Sequence, residues 1–461
     1  MRYNDTIAAI STAFGNAGIA IVRLSGKKSL PTLNKIFKPR SKKLKKFESH
    51  KLYYGRILDK KNKIIDEVLA VYFKSPNSYT KEDMAEIQCH GGFITANKIL
   101  EKILEQNIRI ARPGEFTERA FLNGRLDLTQ AEAVADIIYA KSEKAQEIAE
   151  EQLQGKLKEK IKSILSSILG TYSHVLINID FPDEDTPDIN RKDIGKKITK
   201  PIKEIEEILK GTSLVTIYKE GLRVAIVGLP NVGKSSLLNA LVKDARAIVT
   251  DIPGTTRDIL EEQIEINGAL IRLFDTAGIT KTEDRIEKEG ILRSFQAIKK
   301  ADFLLLLTEN YNDLKTFLSL IKKEAKKVIS GKRILLIISK TDLKNKLGNL
   351  ANTKELQIVD TIESSAKTGR GIKKIEKIIF NQIKEKKQES SILLANLRHH
   401  NLLKKALQSL KKTQYLSREE EAEDKILVEI NSAANKLKEI IGETVTNDIL
   451  NKVFARFCVG K

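Results

Sequence analysis

The sequence predicts a multidomain chain with α/β and all-α parts. An α/β region covers 1–120, a helical domain comes in two pieces at 121–215 and 384–461, and an α/β unit at 216–383 is inserted between those pieces. Three observations predict this. A length of 461 residues exceeds what one hydrophobic core supports. From Arg223 onward, short apolar runs alternate with helical segments, the signature of βα units and a mostly parallel sheet. On either side of that stretch, apolar residues recur at helical spacing.

In the N-terminal region, Ile19-Ala20-Ile21-Val22 and Glu67 to Phe73 read as strands, and Ser75-Pro76-Asn77-Ser78 reads as a turn. Thr129-Gln130-Ala131-Glu132 has the form of a capping box at a helix start. A long helical stretch follows, with Ile148, Leu157, Ile161, Ile164, Leu165 and Ile168 at helical spacing. Phe181 to Asp188 breaks it with two prolines and four acids, and a further helix is expected over Pro201 to Lys210. Asn267-Gly268 joins two alternating runs and reads as a tight hairpin. The α/β pattern ends near Gln382. Beyond it, Ile426, Leu427, Ile430, Ala434, Leu437 and Ile441 fall on one helix face, and the two helical pieces are expected to pack together.

Composition excludes several classes. Hydrophobic residues at 41% and charged residues at 31% are a globular balance, not a disordered one. The longest apolar runs, Phe303 to Leu307 and Ile334 to Ile338, have the length of buried strands and not of membrane spans. Arg2 and Asp5 precede a broken apolar stretch, so no signal peptide is expected. Two cysteines point to a reducing compartment, read as the cytoplasm. The net charge of +20 and pI near 9.5 fit a polyanionic partner such as nucleic acid, or a lysine-rich surface with no single target. The basic residues are scattered, as in Lys42-Lys43, Lys45-Lys46 and Lys411-Lys412, and leave both readings open.

The chemistry-bearing motifs lie in the inserted unit. Gly228-Leu229-Pro230-Asn231-Val232-Gly233-Lys234-Ser235 fits G-x-x-x-x-G-K-[ST], after a strand at Val224 to Val227 and before a helix starting near Ser236. Such a loop wraps phosphates with backbone N–H groups, while the following helix start adds a positive end. Lys234 is placed to reach the outer phosphates, and the Ser235 hydroxyl to bind Mg2+. Asp275-Thr276-Ala277-Gly278 closes a strand where the magnesium shell and γ-phosphate would be sensed. Gly254-Thr255-Thr256-Arg257-Asp258 lies between the first helix and the hairpin, and Thr256 would complete the magnesium site. These motifs in this order predict a Ras-like P-loop G domain that binds and hydrolyses GTP.

Base recognition departs from the usual Asn-Lys-x-Asp pattern, because Ser339-Lys340-Thr341-Asp342 follows the strand Ile334 to Ile338. Asp342 can accept from guanine N1 and N2, and the backbone of Ser365-Ala366-Lys367 can meet guanine O6. Serine is shorter than asparagine, so Ser339 is expected to tether its loop less well. At the position where Ras-like enzymes orient water with glutamine stands Ile279, which cannot do so. Among the acids that follow, Glu283, Asp284, Glu287 and Glu289 are candidates for that role, or form a solvated helix face.

Four further blocks resemble the MnmE (TrmE) family of tRNA-modification GTPases. They are Asp5 to Ile10 with Ile21 to Gly26, Ser78-Tyr79-Thr80 leading to Glu86 to Gly92, Ala111 to Leu128, and Phe457-Cys458-Val459-Gly460-Lys461. The resemblance implies that residues 1–120 bind a tetrahydrofolate one-carbon donor, 5,10-methylene- or 5-formyl-tetrahydrofolate, and form a homodimer. It implies folate contacts by Arg23, Glu86, Arg125 and Lys461, with Arg125 standing where the family often has lysine. It implies a heterotetramer with an MnmG-type flavoprotein that modifies C5 of the tRNA wobble uridine, with no membrane involved. It also implies K+ beside the phosphates. Asn231, Thr250, Ile252 and Thr255 would be the ligands, within a nucleotide-binding loop Thr250-Asp251-Ile252-Pro253-Gly254-Thr255. Glu287 aligns with the family's water-orienting glutamate, joining Asn231 and Lys234 in catalysis, while Thr280 stands where some members carry arginine.

Cys458 reads either as a nucleophile or as a small residue beside the folate pocket. Cys89-His90 invites a zinc reading that so few cysteines and histidines do not sustain. The competing functions are a ribosome-assembly or RNA-binding GTPase, which has no use for a folate pocket, and a non-enzymatic folate binder, which has none for a phosphate loop.

Overall fold

The computed structural model describes residues 4–13, 15–41, 46–180, 191–211, 217–244, 246–247, 261–275, 298–320, 329, 331–343, 356–384, 396–419 and 421–461. The strands are β1 Ile7–Ile10, β2 Ala17–Ser25, β3 Phe37–Pro39, β4 Leu52–Leu58, β5 Ile64–Phe73, β6 Met84–Gly91, β7 Arg109–Ile110, β8 Leu222–Gly228, β9 Arg246–Ala247, β10 Glu261–Ile266, β11 Ala269–Asp275, β12 Phe303–Thr308, β13 Arg333–Ile338 and β14 Gln357–Glu363. The helices are α1 Ser29–Ile36, α2 Phe93–Leu104, α3 Glu115–Leu122, α4 Leu128–Ile138, α5 Glu143–Leu153, α6 Lys156–Asp180, α7 Arg191–Lys210, α8 Lys234–Asp244, α9 Tyr311–Leu320, α10 Ile372–Lys384, α11 Leu397–Arg418, α12 Glu423–Ile441 and α13 Asn447–Phe454. The chain divides into two compact units. One comprises Met1–Ile138, Glu150–Ile202 and Leu402–Lys461; the other comprises Tyr139–Ala149 and Lys203–Asn401.

The first unit holds a sheet of order β3-β4-β5-β6-β2-β1-β7. Its pairs are antiparallel except β1 with β7. Side chains alternate with the pleat. Ala20, Val22, Leu24, Val68, Ala70, Tyr72, Ala85 and Ile87 enter a core shared with Leu33 and Ile36 of α1 and Ile99 and Ile103 of α2. On the other face, Ile7 and Ala9 pack with Met84 and Phe116 of α3. Arg23 and Glu86, paired across β2 and β6, share that second face.

The helical pieces come together as expected: α12 lies along α6 and reaches α4. Leu157, Ile161, Ile164, Ile168, Ile426, Ile430, Ala434 and Leu437 are all buried. Two local expectations are corrected. The capping box starts two residues earlier than Thr129. Asp127 Oδ1 accepts from the backbone N–H groups of Thr129 at 2.8 Å and Gln130 at 3.1 Å. Gln130 Oε1 reciprocates by accepting from Asp127 N at 3.1 Å. The Thr129 hydroxyl donates to Asp127 instead of capping. The second correction is that α7 begins at Arg191, so Pro201 lies inside it. Packing overrides the lost donor: Ile194 and Ile198 are buried, Gly195 N donates to Ser417 Oγ at 3.0 Å, and Gln414 Nε2 donates to Thr199 Oγ1 at 3.0 Å. The break proposed at Phe181 to Asp188 lies outside the described residues.

The second unit holds a sheet of order β14-β13-β12-β8-β11-β10-β9. β8, β11, β12, β13 and β14 run parallel, and β9 and β10 add antiparallel edges. Both faces are covered, which is why β12 is buried along its whole length. Leu237 and Leu241 of α8 and Ile375 and Ile379 of α10 pack on one face, and Leu314 of α9 on the other. Asn267 and Gly268, at φ 49° and 79°, close the β10–β11 hairpin as predicted. Among the described residues, no helix is long and apolar enough to cross a membrane.

Candidate functional site

In a parallel sheet, ligands bind at the carboxyl ends of the strands where the strand order reverses. β8 is the central strand, flanked by β11 and β12, and it delivers Gly228 to that edge. A Cβ at Gly228 would lie 2.5 Å from the Leu307 carbonyl, so only glycine lets the loop leave beside β12. Asn231 and Gly233 then take left-handed φ values of 63° and 96°, turning the chain tightly into α8. Lys234 is buried, and its Nζ donates to the carbonyls of Gly228 at 3.0 Å and Leu229 at 2.7 Å. The ammonium is therefore folded back across the loop that wraps the phosphates. Val232 is buried beneath the loop, while Asn231, Ser235 and Ser236 are exposed at the start of α8. A hydroxyl oxygen is a ligand suited to Mg2+, and Ser235 places one at this helix start. Asp275 ends β11 in register with Ile226 of β8, one strand away from the phosphate loop. Thr250 to Thr256, Thr276 to Gly278, Ile279 and Glu287 lie outside the described residues.

The loops expected from sequence to recognise the base converge at the same edge. Ser339, at the end of β13, is buried; its Oγ donates to the carbonyls of Val232 at 2.7 Å and Thr308 at 3.3 Å. Serine does reach the phosphate loop, because the close approach of the loop puts Val232 within range of a short side chain. Lys340 Nζ pairs with Glu309 at 2.6 Å. The Asp342 carboxylate is exposed on a short 3-10 turn, and a hydrogen bond from the Ser365 side chain holds its pKa below the usual aspartate value. Thr341 N donates to the Ser364 carbonyl and Ser365 N to the Arg370 carbonyl, which ties Ser365-Ala366-Lys367 beside Asp342.

The first unit contains a second convergence, built from residues far apart in sequence. Arg23 Nε donates to Glu86 Oε1 at 2.8 Å, and its Nη1 reaches the Gly460 carbonyl at 3.3 Å. Ser11 Oγ donates to that same carbonyl at 3.0 Å. Gly114 N bonds the Cys458 carbonyl and Phe116 N the Lys461 carbonyl, so the segment 458–461 is laid against β1 and α3. At Gly460, φ is 96° and a Cβ would sit 2.5 Å from the Ile10 carbonyl, so glycine is required. The Arg23 guanidinium lies 5.7 Å from the centroids of both Tyr79 and Phe116. Arg125 stacks on Tyr79 at 4.6 Å and donates to the Tyr79 carbonyl at 3.1 Å. Burial lowers the Lys461 pKa, helped by the nearby Arg23 charge. Burial raises the Tyr79 phenol, against a hydrogen bond with Thr117 and the charges of Arg125 and Arg23.

Arg23, Glu86, Arg125 and Lys461 are thus brought together, and the donor set fits a folate. Three cations match glutamate carboxylates, a carboxylate matches pterin N–H groups, and two aromatic rings offer flat apolar contact. Sequence reasoning missed Ser11, Phe116 and Thr117, and gave Tyr79 no role of its own; nothing local marks any of them. It also missed the ion cluster beneath this site. Arg119 and Glu115, both buried, bond at 3.1 Å. Arg119 further reaches Asp5 at 2.7 Å and Glu82 at 3.1 Å, and Glu115 takes Arg109 at 2.6 Å. Burial would raise the Glu115 carboxyl, yet hydrogen bonds from Arg109, the Arg112 backbone and Arg119 pull it down to about 2.

Cys458 is exposed, whereas Cys89 is buried and its thiol is raised to about 11 by burial. Successive strand residues face opposite ways, so Cys89 enters the core while His90 turns out to bond Asp66 at 2.7 Å.

Comparison with known proteins agrees with this geometry. The family described as MnmE helical domain matches residues 128–458, and the one described as GTP-binding protein TrmE N-terminus matches residues 6–125. The tRNA modification GTPase MnmE of Thermoanaerobacter pseudethanolicus is 44% identical over 466 residues, covering 99% of both chains. The protein of that name in Alkaliphilus oremlandii is 43% identical over 100% of both. The one in Bacillus subtilis strain 168 is 40% identical over 99% of this chain and 100% of that one. With these matches along its length and a phosphate loop folded at the edge of a parallel sheet, this chain is a GTP hydrolase belonging to the MnmE (TrmE) family of tRNA modification GTPases.

Proposed function

We propose that the protein couples GTP turnover to one-carbon chemistry on the C5 position of the tRNA wobble uridine, in the cytoplasm and together with an MnmG-type flavoprotein. Residues 1–120 serve as folate-binding and dimerisation domain, 121–215 and 384–461 as helical domain, and 216–383 as G domain. The observation that carries this reading is the meeting of Arg23, Glu86 and the 458–461 segment in a chain that also folds a phosphate loop. A ribosome-assembly GTPase has no use for the first, and a folate carrier none for the second.

In this reading Arg23, Arg125 and Lys461 orient the folate by its carboxylates, and Glu86 accepts from its pterin. Lys234 neutralises the outer phosphates, Ser235 and Thr256 hold Mg2+, and Asp342 selects guanine. Asn231, with Thr250, Ile252 and Thr255, would hold K+, which offsets charge developing between the phosphates as an arginine finger does. Glu287 would position water in place of the glutamine that Ile279 displaces. The test is chromatography of tRNA nucleosides from a deletion strain. The modified wobble uridine is expected to vanish, to return with the wild-type gene, and to stay absent with Lys234→Ala or Arg23→Ala. An unchanged nucleoside profile in the deletion strain overturns the proposal.

A further inference from the structure

Between Leu397 and Arg418, α11 carries no aspartate or glutamate. Its inner side, with Leu403, Ala406, Leu410 and Thr413, is buried. Its outer side carries Lys404, Lys411 and Arg418, all exposed. Residues seven apart lie almost above one another on a helix, so these three form a line with steps of ~10 Å. Lys405 and Lys412 flank that line, and Tyr415, 61% exposed, stands within it. Lys412 pairs with Glu429 at 2.6 Å. Among the described residues, no carboxylate pairs with Lys404, Lys405 or Arg418. The Gly195–Ser417 and Gln414–Thr199 bonds bring the first half of α7 alongside, adding exposed Lys196 and Lys200. Lys196 is held by Asp193 at 2.8 Å.

A helix face selected only for solubility mixes its charges, because opposite charges one turn apart stabilise it and like charges do the reverse. The neighbouring α12 does so, with Glu423, Asp424, Lys425, Glu429, Lys436 and Glu439. An excess of cations, offset only in part by Glu429 on Lys412 and Asp193 on Lys196, carries self-repulsion that a polyanion would relieve, and an exposed tyrosine in a line of cations suits a stacked base.

We propose that the outer face of α11, extended by Lys200 of α7, binds the phosphate backbone of a structured RNA, with Tyr415 stacking on an unpaired base. The proposal rests on the RNA-directed reading above and assigns it a surface.

The experiment uses the full chain and fluorescence anisotropy with unmodified tRNA over a salt series. The test protein carries Lys404→Gln, Lys411→Gln and Arg418→Gln. The control removes equal charge elsewhere on the same unit, at Lys27, Lys35 and Lys98. The test protein is expected to bind at least ~10-fold more weakly, with a log–log salt slope shallower by about 2 to 3, as loss of three phosphate contacts requires. The control should bind like wild type. Matching basal GTPase rates and thermal melts establish that both variants are folded. Tyr415→Ala should weaken tRNA several-fold and leave a fully paired RNA unaffected. A test protein that binds as wild type does overturns the surface and leaves the tRNA reading standing. Equal losses in test and control proteins also overturn it, in favour of a diffuse field. Absence of wild-type binding at about 50 mM salt removes both surface and RNA reading.

Discussion

Ser339 Oγ donates to the Val232 carbonyl at 2.7 Å, joining the end of β13 to the phosphate loop across 107 positions of sequence. The hydroxyl is buried, so Ser339→Ala leaves a shielded carbonyl with one partner fewer, which costs about 1–3 kcal/mol. To the extent that nucleotide binding must then restore the loop order this bond supplied, guanine nucleotide affinity should fall, by up to ~10-fold, since each 1.4 kcal/mol is tenfold. Titration with a fluorescent GDP analogue checks this; an unaltered Kd would deny the tether any part in holding the loop.

Asp342 should decide nucleotide choice. Wild type is expected to turn over GTP with weak competition from ATP, and Asp342→Asn to favour xanthosine nucleotides, because the amide donates where the carboxylate accepted. The Ser365 bond lowers the Asp342 pKa, so its charge survives below the usual aspartate range. GTP affinity should therefore show no loss from this group between pH 7 and the ordinary aspartate range. Equal rates with GTP and ATP in the wild-type protein would refute the assignment.

GTP hydrolysis should be faster in KCl than in NaCl at equal concentration. Two ions of one charge differ only in their fit to an oxygen cage. Asn231→Ala should remove most of the K+ response while keeping nucleotide binding. Glu287→Ala should slow turnover by ~10²-fold with little change in GTP affinity, as expected of a group acting mainly in the transition state. Wild-type rates that match in the two salts would end the cation proposal.

Arg23 joins Glu86, the Gly460 carbonyl and two aromatic rings. Arg23→Ala is expected to weaken 5-formyltetrahydrofolate at least ~10-fold by calorimetry, because it removes a cation and loosens Glu86. Lys461 has a lowered pKa, so it sheds its proton on the alkaline side earlier than an ordinary lysine. Folate affinity should drop as pH rises towards the ordinary lysine value of 10.5. A pH-independent affinity would exclude Lys461 from carboxylate binding.

The cluster under that site predicts an acid sensitivity. Glu115 sits at about 2 in the folded chain against an ordinary 4.5. Between these values the unfolded chain binds more protons. The stability that Glu115 contributes is therefore complete above 4.5 and lost as pH falls towards 2. Glu115→Gln should destabilise the first unit by ~3–5 kcal/mol, the usual result of removing one member of a buried pair, and flatten the acid limb of its melting curve. Melts across that range, wild type against variant, decide it; superimposable acid limbs would rule Glu115 out.

The inserted unit was legible because each of its signals is local. A strand, a glycine loop, Lys234 and a helix start occupy one short run, and Asn267-Gly268 specifies its own turn. The helix pairing was legible from periodicity. Thr129 misled because Asp127 two residues earlier offers the better acceptor, and Pro201 misled because α11 holds the start of α7 in place. The Ser339 bond depends on how closely two loops approach, which no spacing encodes. Arg23, Glu86 and Lys461 could be grouped only through resemblance, because a register pairing and a returning segment bring them together. The same holds for Arg119, whose partners Asp5 and Glu82 come from different strand ends.

The returning segment also sets a clock on synthesis. Arg23, Glu86 and Arg125 leave the ribosome early, but the Gly460 carbonyl that Arg23 and Ser11 both engage is made last among them. At roughly 5–20 residues per second, the interval from Arg125 to Lys461 lasts on the order of tens of seconds. Throughout that time a nascent chain can close its first sheet while lacking the segment 458–461. A small molecule that needs that segment can therefore stabilise the finished protein but cannot guide the folding of its N-terminal sheet during translation.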